Sequence, residues 1–219
     1  NINTKISFAA KIFKDEFFED KKETKDAVNL FREVTILSQI SHPSIIKFYG
    51  YSSIDFIGLY RPVIITEYFG NGSLENLIEI ERSGLNITFW DDTMKLINIY
   101  GIASSMSYLH SRNIIHRDLK PLNILIDDFL FPKLADFGFS KYLIQDEKDS
   151  KSPSNIMGTF SFIAPEIWEN ADYTKQGDVY AFAILMYELL TKEVPFQDKN
   201  EFQIMYAVVK NKNRPKLKN

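Results

Sequence analysis

The chain has 219 residues, of which 45% are hydrophobic and 25% are charged, and its formal net charge is −3. This composition is typical of a folded globular protein and excludes a chain that is disordered throughout. The small negative charge disfavours nucleic acid as a partner, and the absence of cysteine excludes a disulfide scaffold. The apolar runs are too short to cross a membrane, so we expect no membrane segment in this chain.

The first third of the chain carries strand and helix signals in turn. Residues 5–14 have the pattern of a β-strand, and the apolar periodicity of residues 27–40 predicts a helix. The His-Pro dipeptide at 42–43 ends that helix, because the residue before a proline is pushed out of the helical region. Residues 45–52 and 62–68 are rich in β-branched and aromatic side chains and predict two more strands.

A Gly-Asn-Gly tripeptide at residues 70–72 is the strongest break in the chain. After it, residues 73–82 and a longer amphipathic segment at 90–111 predict helices. Asp91 and Asp92 enrich the first turn of the longer helix in acidic side chains. The change from strand signals to helix signals indicates a boundary between two parts of the fold.

The most informative segment is HRDLKPLN at residues 116–123, followed thirteen residues later by the tripeptide DFG at 136–138. Seven of these eight letters match HRDLKPxN, so the segment resembles the catalytic-loop signature of protein kinases and implies phosphoryl transfer. That reaction depends on positioning and charge neutralisation more than on covalent chemistry. It needs a carboxylate that orients the attacking hydroxyl and a cation that faces the transferred phosphate. It also needs an amide and a second carboxylate that hold magnesium. These four groups are present as Asp118, Lys120, Asn123 and Asp136.

These motifs resemble those of the eukaryotic protein kinase family, and the resemblance extends over nearly the whole chain. FAAK at residues 8–11 resembles the VAIK strand, and Glu33 resembles the glutamate of helix C that pairs with its lysine. Ala-Pro-Glu at 164–166 resembles the end of the activation segment, and Asp178 resembles the buried aspartate of helix F.

The resemblance implies an α+β, two-lobed, protein-kinase-like fold. Residues 1–69 would form part of the N-terminal, nucleotide-binding lobe, a small antiparallel β lobe with helix C. Residues 70–219 would form the larger, mainly α-helical C-terminal lobe that carries catalysis and binds substrate. Together the two lobes would make one kinase domain.

The resemblance also implies the reaction, which is transfer of the γ-phosphoryl group of ATP to a protein hydroxyl with two Mg²⁺ ions. Asp118 would act as the base and Lys120 would neutralise the γ-phosphate. Lys11, held by Glu33, would orient the α- and β-phosphates. The metal ligands would be Asn123 and Asp136, and Thr159 would brace the catalytic loop.

For the adenine ring, the resemblance points to the segment that joins the two lobes. The backbone carbonyl of Glu67 and the backbone N–H of Phe69 would bind the base, with Thr66 in the gatekeeper position. Ala9 and Leu125 would enclose the ring from the two sides, since a flat heterocycle needs small apolar neighbours. A plain core role for Ala9 and Leu125 is compatible with the same sequence.

Substrate class follows from the same comparison. Lys120 and the segment GTFSFIAPE at 158–166 resemble serine/threonine kinases, and tyrosine specificity is disfavoured. NGSLENLI at 71–78 and the helix F segment resemble the tyrosine-kinase-like group of serine/threonine kinases. Phe139 resembles the residue that favours serine over threonine as acceptor.

Regulation and location are further implications of the resemblance. His116 would pack beneath Phe137 and take no part in acid-base chemistry. Arg117, beside the base, resembles the arginine that binds a phosphate on the activation loop. An upstream kinase or autophosphorylation would modify one of three serines. A cytoplasmic location is expected from the family and from the absence of cysteine, of a signal-peptide pattern and of a membrane span. The candidate serines are Ser150, Ser152 and Ser154.

Two departures from the family pattern leave alternatives open. No Gly-rich loop precedes Lys11, and no arginine partner for Glu166 follows Arg214, so we expect a segment truncated at both ends and poorly active alone. It would lack the first two strands and the last helices. One alternative is a kinase-like signalling or scaffold module with little or no phosphotransfer. The other is a small-molecule kinase, which the Ala-Pro-Glu segment disfavours.

Overall fold

A computed structural model describes residues 6–13, 25–143, 159–170 and 173–217. Three strands form an antiparallel sheet in the spatial order β1, β3, β2. They are β1 (Phe8–Ile12), β2 (Phe48–Ser52) and β3 (Val63–Glu67). Helix α1 (Lys25–Gln39) packs against β2, and its Leu30, Ile36 and Leu37 share one core with Ile64 of β3.

Helices dominate the remainder of the described chain. α2 (Leu74–Arg82), α3 (Asp92–Ser111) and α5 (Lys175–Thr191) pack around a shared apolar core, and α4 (Pro165–Asn170) and α6 (Glu201–Val209) lie against each other. The residue before each of α2, α3, α5 and α6 caps that helix with its side chain. Ser73 and Asn76 form a reciprocal capping box on α2, and Asp91 accepts a bond from the Met94 backbone N–H at the start of α3.

Two short strand pairs connect the helices to the site described below. β5 (Ile124–Ile126) and β6 (Pro132–Leu134) form an antiparallel hairpin, and β4 (Ile114–Ile115) pairs with β7 (Lys141–Tyr142). Gly101 of α3 lies against the hairpin, since a Cβ atom there would meet Cγ of Pro132 at 2.6 Å. Glycine at this position permits the close approach of α3.

The predicted α+β fold with a small antiparallel β lobe and a helical lobe is confirmed. All three predicted strands are longer than the observed ones. In the second, Ile45 forms an isolated bridge with Leu134 of β6 and the Ile46 N–H donates to the Leu134 carbonyl, so that β2 begins only at Phe48. Asp91 proves to be the cap of α3 and not part of its first turn. The lobe boundary at residues 69 and 70 stays a prediction. None of the helices in the described ranges is long and apolar enough to cross a membrane.

Candidate active site

Lys11 of β1 forms ion pairs with two carboxylates from different elements. Its Nζ lies 2.8 Å from Oε2 and 3.1 Å from Oε1 of Glu33 on α1, and 3.2 Å from Oδ1 of Asp136. Glu33 is only 4% exposed because it falls between Leu30 and Leu37 on the buried face of α1, at helical spacing. The pairing of Lys11 with Glu33 expected from the sequence is present in the structure, and Asp136 joins it.

The surroundings shift the pKa values of these three groups in different ways. Burial raises the pKa of the Glu33 carboxyl, and the Lys11 cation opposes this only in part. Burial also acts to raise the pKa of Asp136, but Lys11 outweighs it and that pKa is lowered. Burial acts to lower the pKa of Lys11, yet the two carboxylates outweigh it and that pKa is raised. As the pH falls, Glu33 is therefore the first of the three to change its charge.

Asp118 is held in the 116–123 loop through only one of its carboxylate oxygens. Oδ2 lies 2.8 Å from Nζ of Lys120 and accepts a bond of 2.9 Å from Nδ2 of Asn123. The same Nδ2 donates to the backbone carbonyl of Asp118 at 2.7 Å, because a 3₁₀ turn at Pro121–Asn123 brings Asn123 back towards it. Within the residues that the structure describes, Oδ1 of Asp118 has no hydrogen-bond or ion-pair partner.

Lys120 also connects this loop to the segment that precedes α4. Its Nζ donates to Oγ1 of Thr159 at 3.0 Å. The structure thus brings together the four residues for which the sequence predicted catalytic roles, namely Asp118, Lys120, Asn123 and Thr159. Gly158 and the three candidate serines lie outside the described residues.

The loop is anchored to α5 by a buried carboxylate. Asp178 accepts bonds from the backbone N–H groups of His116, at 2.8 Å, and Arg117, at 2.9 Å. His110, at the end of α3, lies 2.8 Å from the same carboxylate through Nε2. The sequence marked Asp178 as buried but gave no signal for His110, whose partner is 68 residues away in the chain.

His116 has the packing role expected of it. Its ring lies edge-on to that of Phe137, with ring centres 5.1 Å apart, and its Nε2 lies 3.1 Å from the carbonyl oxygen of Ala135. The ring is fully buried. His116 is therefore a part of the core beneath the site.

Two residues at the site have left-handed backbone conformations, Arg117 with φ 69° and Asp136 with φ 59°. Side chains other than glycine rarely adopt this region, and the cost is about 1–2 kcal/mol per residue. Arg117 also donates from Nε to the backbone carbonyl of Phe139. Its guanidinium therefore lies against the segment that follows Asp136.

The segment expected to bind adenine has two features that the sequence did not show. The Thr66 hydroxyl donates to the backbone carbonyl of Glu67 at 3.2 Å, so one lone pair of the expected adenine acceptor is already used. The Glu67 carboxylate accepts a bond of 2.6 Å from the Lys47 backbone N–H. Among the described residues, the backbone N–H of Phe69 has no acceptor.

The two residues predicted to enclose adenine lie on separate strand pairs. Ala9 is half-buried in β1, opposite Thr66 in the β1–β3 register. Leu125 is half-buried in β5, and an isolated bridge joins it to Ser73 at the start of α2. Both side chains retain some exposure, which fits a surface that receives a flat ring.

The side-chain oxygens of Asn123 and Asp136 are suitable ligands for Mg²⁺. The β5–β6 hairpin brings Asn123, just before β5, and Asp136, just after β6, to the same end, and the Ala135 N–H donates to the Asn123 carbonyl at 2.9 Å. Since Nδ2 of Asn123 is used on Asp118, its side-chain Oδ1 faces elsewhere as a free acceptor in the described part of the chain. An amide oxygen and an ionised carboxylate are ligands that Mg²⁺ prefers.

Glu166 forms no ion pair within the described residues. Arg214 lies over the ring of Tyr180 at 5.2 Å and donates to the backbone carbonyl of Val208. Arg214 therefore forms no ion pair with Glu166 in the described part of the chain.

The fold and this arrangement of charges define a protein kinase catalytic core. The family profile described as "Protein kinase domain" matches residues 1–218, and the chain belongs to that family. Members of the family generally use ATP and Mg²⁺.

Several curated relatives are similar to this chain over most of its length. "Probable serine/threonine-protein kinase drkD" of Dictyostelium discoideum is 35% identical over 90% of the chain, which is 14% of that protein. "Serine/threonine/tyrosine-protein kinase HT1" of Arabidopsis thaliana is 36% identical over 84% of the chain and 44% of its own length. "Serine/threonine-protein kinase CTR1" of the same plant is 34% identical over 91% of the chain and 23% of its own length. The chain thus spans less than half the length of these relatives.

Proposed function

We propose that this domain is a serine/threonine protein kinase that transfers the γ-phosphoryl group of ATP to a hydroxyl of a protein. The proposal rests on the contacts of the two carboxylate oxygens of Asp118. One of its carboxylate oxygens is held by Lys120 and Asn123, and the other has no partner in the described chain. A carboxylate fixed at one oxygen and open at the other is suited to orient a hydroxyl and to accept its proton.

Each of these site residues has a role in the reaction. Lys11, fixed by Glu33, binds the α- and β-phosphates, and Lys120 faces the γ-phosphate. The acceptor oxygen forms a bond to the γ-phosphorus while its proton passes to Oδ1 of Asp118. The bond from the γ-phosphorus to the bridging oxygen breaks, and ADP leaves. Mg²⁺, held by Asn123 and Asp136, would supply positive charge to the phosphate oxygens.

The choice of serine or threonine as acceptor rests on Lys120, two residues after the base, and on the names of the relatives. The drkD and CTR1 proteins are named as serine/threonine kinases, while HT1 is named as a serine/threonine/tyrosine kinase. A cytoplasmic location, expected from the family resemblance, is part of the same proposal.

The test is phosphotransfer from γ-labelled ATP to three peptides that differ only in having serine, threonine or tyrosine at one position. We expect labelling of serine and threonine, with serine preferred, and little labelling of tyrosine. Nucleotide binding without any transfer would favour the kinase-like scaffold instead. Label on tyrosine alone would overturn the acceptor assignment.

The order of the pKa shifts leads to a prediction about pH. A protonated Glu33 is neutral and no longer attracts Lys11, so activity should fall as the pH drops through the raised pKa of Glu33. Glu33→Gln has a neutral amide at every pH. Its activity at neutral pH should be lower than that of the parent protein, and its decrease in activity with acid should occur at a lower pH. The measurement is kcat/KM for ATP as a function of pH. Acid limbs that coincide in the two proteins would contradict this.

We also propose that phosphorylation within residues 150–154 activates the domain. Arg117 supports this, because its guanidinium lies beside the segment that leads towards these residues. Replacing Ser150, Ser152 and Ser154 together by alanine should lower the activity of enzyme treated with an activating kinase, several-fold or more. Ser53→Ala, on an exposed loop, serves as the control. Equal activation of the triple variant and the parent protein would exclude a role for these serines.

A further inference from the structure

Tyr142 of β7 is hydrogen-bonded to the last residue of α1. Its hydroxyl donates to Oε1 of Gln39 at 2.8 Å, a contact between residues 103 positions apart in the chain. Burial raises the pKa of the Tyr142 hydroxyl, and Arg112 opposes this only in part. The hydroxyl therefore stays protonated at neutral pH and remains a donor.

The strand that carries Tyr142 is fixed to the catalytic loop. Within β7, Tyr142 pairs with Ile114 of β4, and Ile115 of β4 leads directly into His116. Both isoleucines are buried. The Tyr142 side chain thus extends from a strand that is paired with the residues leading into the 116–123 loop.

The same helix is also held near its middle, through the residue that begins the segment leading to Tyr142. Lys11 joins Glu33 of α1 to Asp136, with contacts of 2.8 Å and 3.2 Å. Glu33 and Gln39 are six residues apart on α1, about 9 Å along its axis. Contacts at two separated points on a rigid helix resist both its rotation and its translation, whereas one contact alone leaves it free to pivot.

We propose that Tyr142 is a positioning residue for the phosphotransfer reaction. Its bond to Gln39 holds α1 in the orientation that presents Glu33 to Lys11. Tyr142 touches no reacting group and acts through α1. The kinetic part of this inference rests on the proposed kinase function, and the structural part does not.

The contact is exposed, so its loss should have a moderate effect. A single hydrogen bond of this kind corresponds to about a two- to tenfold change in an equilibrium. Tyr142→Phe should lower kcat by about that factor, because fewer molecules have the Lys11–Glu33 pair in place. The KM for the protein acceptor should stay unchanged, since the acceptor does not contact α1 or β7 in this mechanism.

The kinetic experiment compares Tyr142→Phe with two variants at Gln39. Gln39→Leu removes the acceptor and should match Tyr142→Phe, and combining the two changes should add nothing further. Gln39→Glu keeps an acceptor oxygen for the hydroxyl and should restore most of the activity. Tyr100→Phe, at a tyrosine that is 76% exposed on α3, is the matched control and should behave as the parent protein.

A second measurement follows α1 directly and needs no activity. The chain has no cysteine, so spin labels react only at two introduced sites, Thr35→Cys on α1 and Leu96→Cys on α3. We expect one narrow distance distribution in the parent protein and a broader or shifted one after Tyr142→Phe or Gln39→Leu. An unchanged distribution together with unchanged kcat in both variants would overturn the proposal. A parent domain without any phosphotransfer would refute the kinase function, while the distances would still test the contact.

Discussion

Replacing Asp118 by asparagine is expected to lower kcat by about 10²- to 10⁴-fold and to leave ATP binding nearly intact. A positioned general base contributes a factor of this size. The asparagine has nearly the same shape, but its amide cannot accept the proton of the acceptor hydroxyl. The carboxylate faces Lys120 and Asn123, which are its only partners in the described residues. The affinity for ATP should therefore change little.

Steady-state phosphotransfer and the dissociation constant of a fluorescent ATP analogue measure the two effects separately. Asp128→Asn is the control, because Asp128 is an exposed aspartate in the nearby β5–β6 hairpin. Turnover that survives in Asp118→Asn would show that Asp118 is not the base. Loss of both turnover and nucleotide binding would indicate that the substitution disturbs the loop as a whole.

Lys11→Met is expected to reduce turnover strongly, and Glu33→Ala should reproduce part of the loss. The two side chains are joined by contacts of 2.8 Å and 3.1 Å, and Glu33 acts by holding Lys11. Residues that work as one unit cannot be removed twice, so the double variant should be little worse than Lys11→Met alone.

A double-mutant cycle in kcat/KM for ATP provides the measurement. The control cycle combines Lys11→Met with Glu79→Ala, at an exposed glutamate on α2. Effects in the control cycle should add within the usual error for separate sites. Strict additivity in the Lys11 and Glu33 cycle would argue that the observed ion pair has no part in catalysis.

The order and spacing of the motifs made the catalytic cluster predictable. Lys11, Glu33 and Asp136 lie far apart in the sequence, yet each lies in a motif of one family, so their meeting could be expected. Two of the strands were predicted from segments rich in β-branched and aromatic residues, and their antiparallel arrangement was implied by the family resemblance. The buried Glu33 agrees with the helical period of α1. These inferences use local patterns that a single sequence contains.

Contacts that depend only on tertiary packing could not be predicted. His110 reads as an ordinary helix-end residue, and nothing near it in the sequence indicates Asp178. Ile45 has a strand-like neighbourhood, but its partner Leu134 comes from the distant hairpin and draws it out of the sheet. The Tyr142–Gln39 bond joins a half-buried tyrosine to an exposed glutamine, a combination too common in sequences to suggest a contact.

Asp178 has a consequence for how the protein unfolds. Arg117 holds a left-handed backbone that is costly for a side chain with a Cβ, and the carboxylate binds the N–H of Arg117 and that of the preceding residue. These two amide protons are therefore protected from exchange with solvent for as long as α5 stays in the core. Although it is irregular, the loop that carries Asp118 belongs to the same cooperative unit as α5. Heat should then abolish catalysis in the same transition that melts this core helix, with no earlier loosening of the loop.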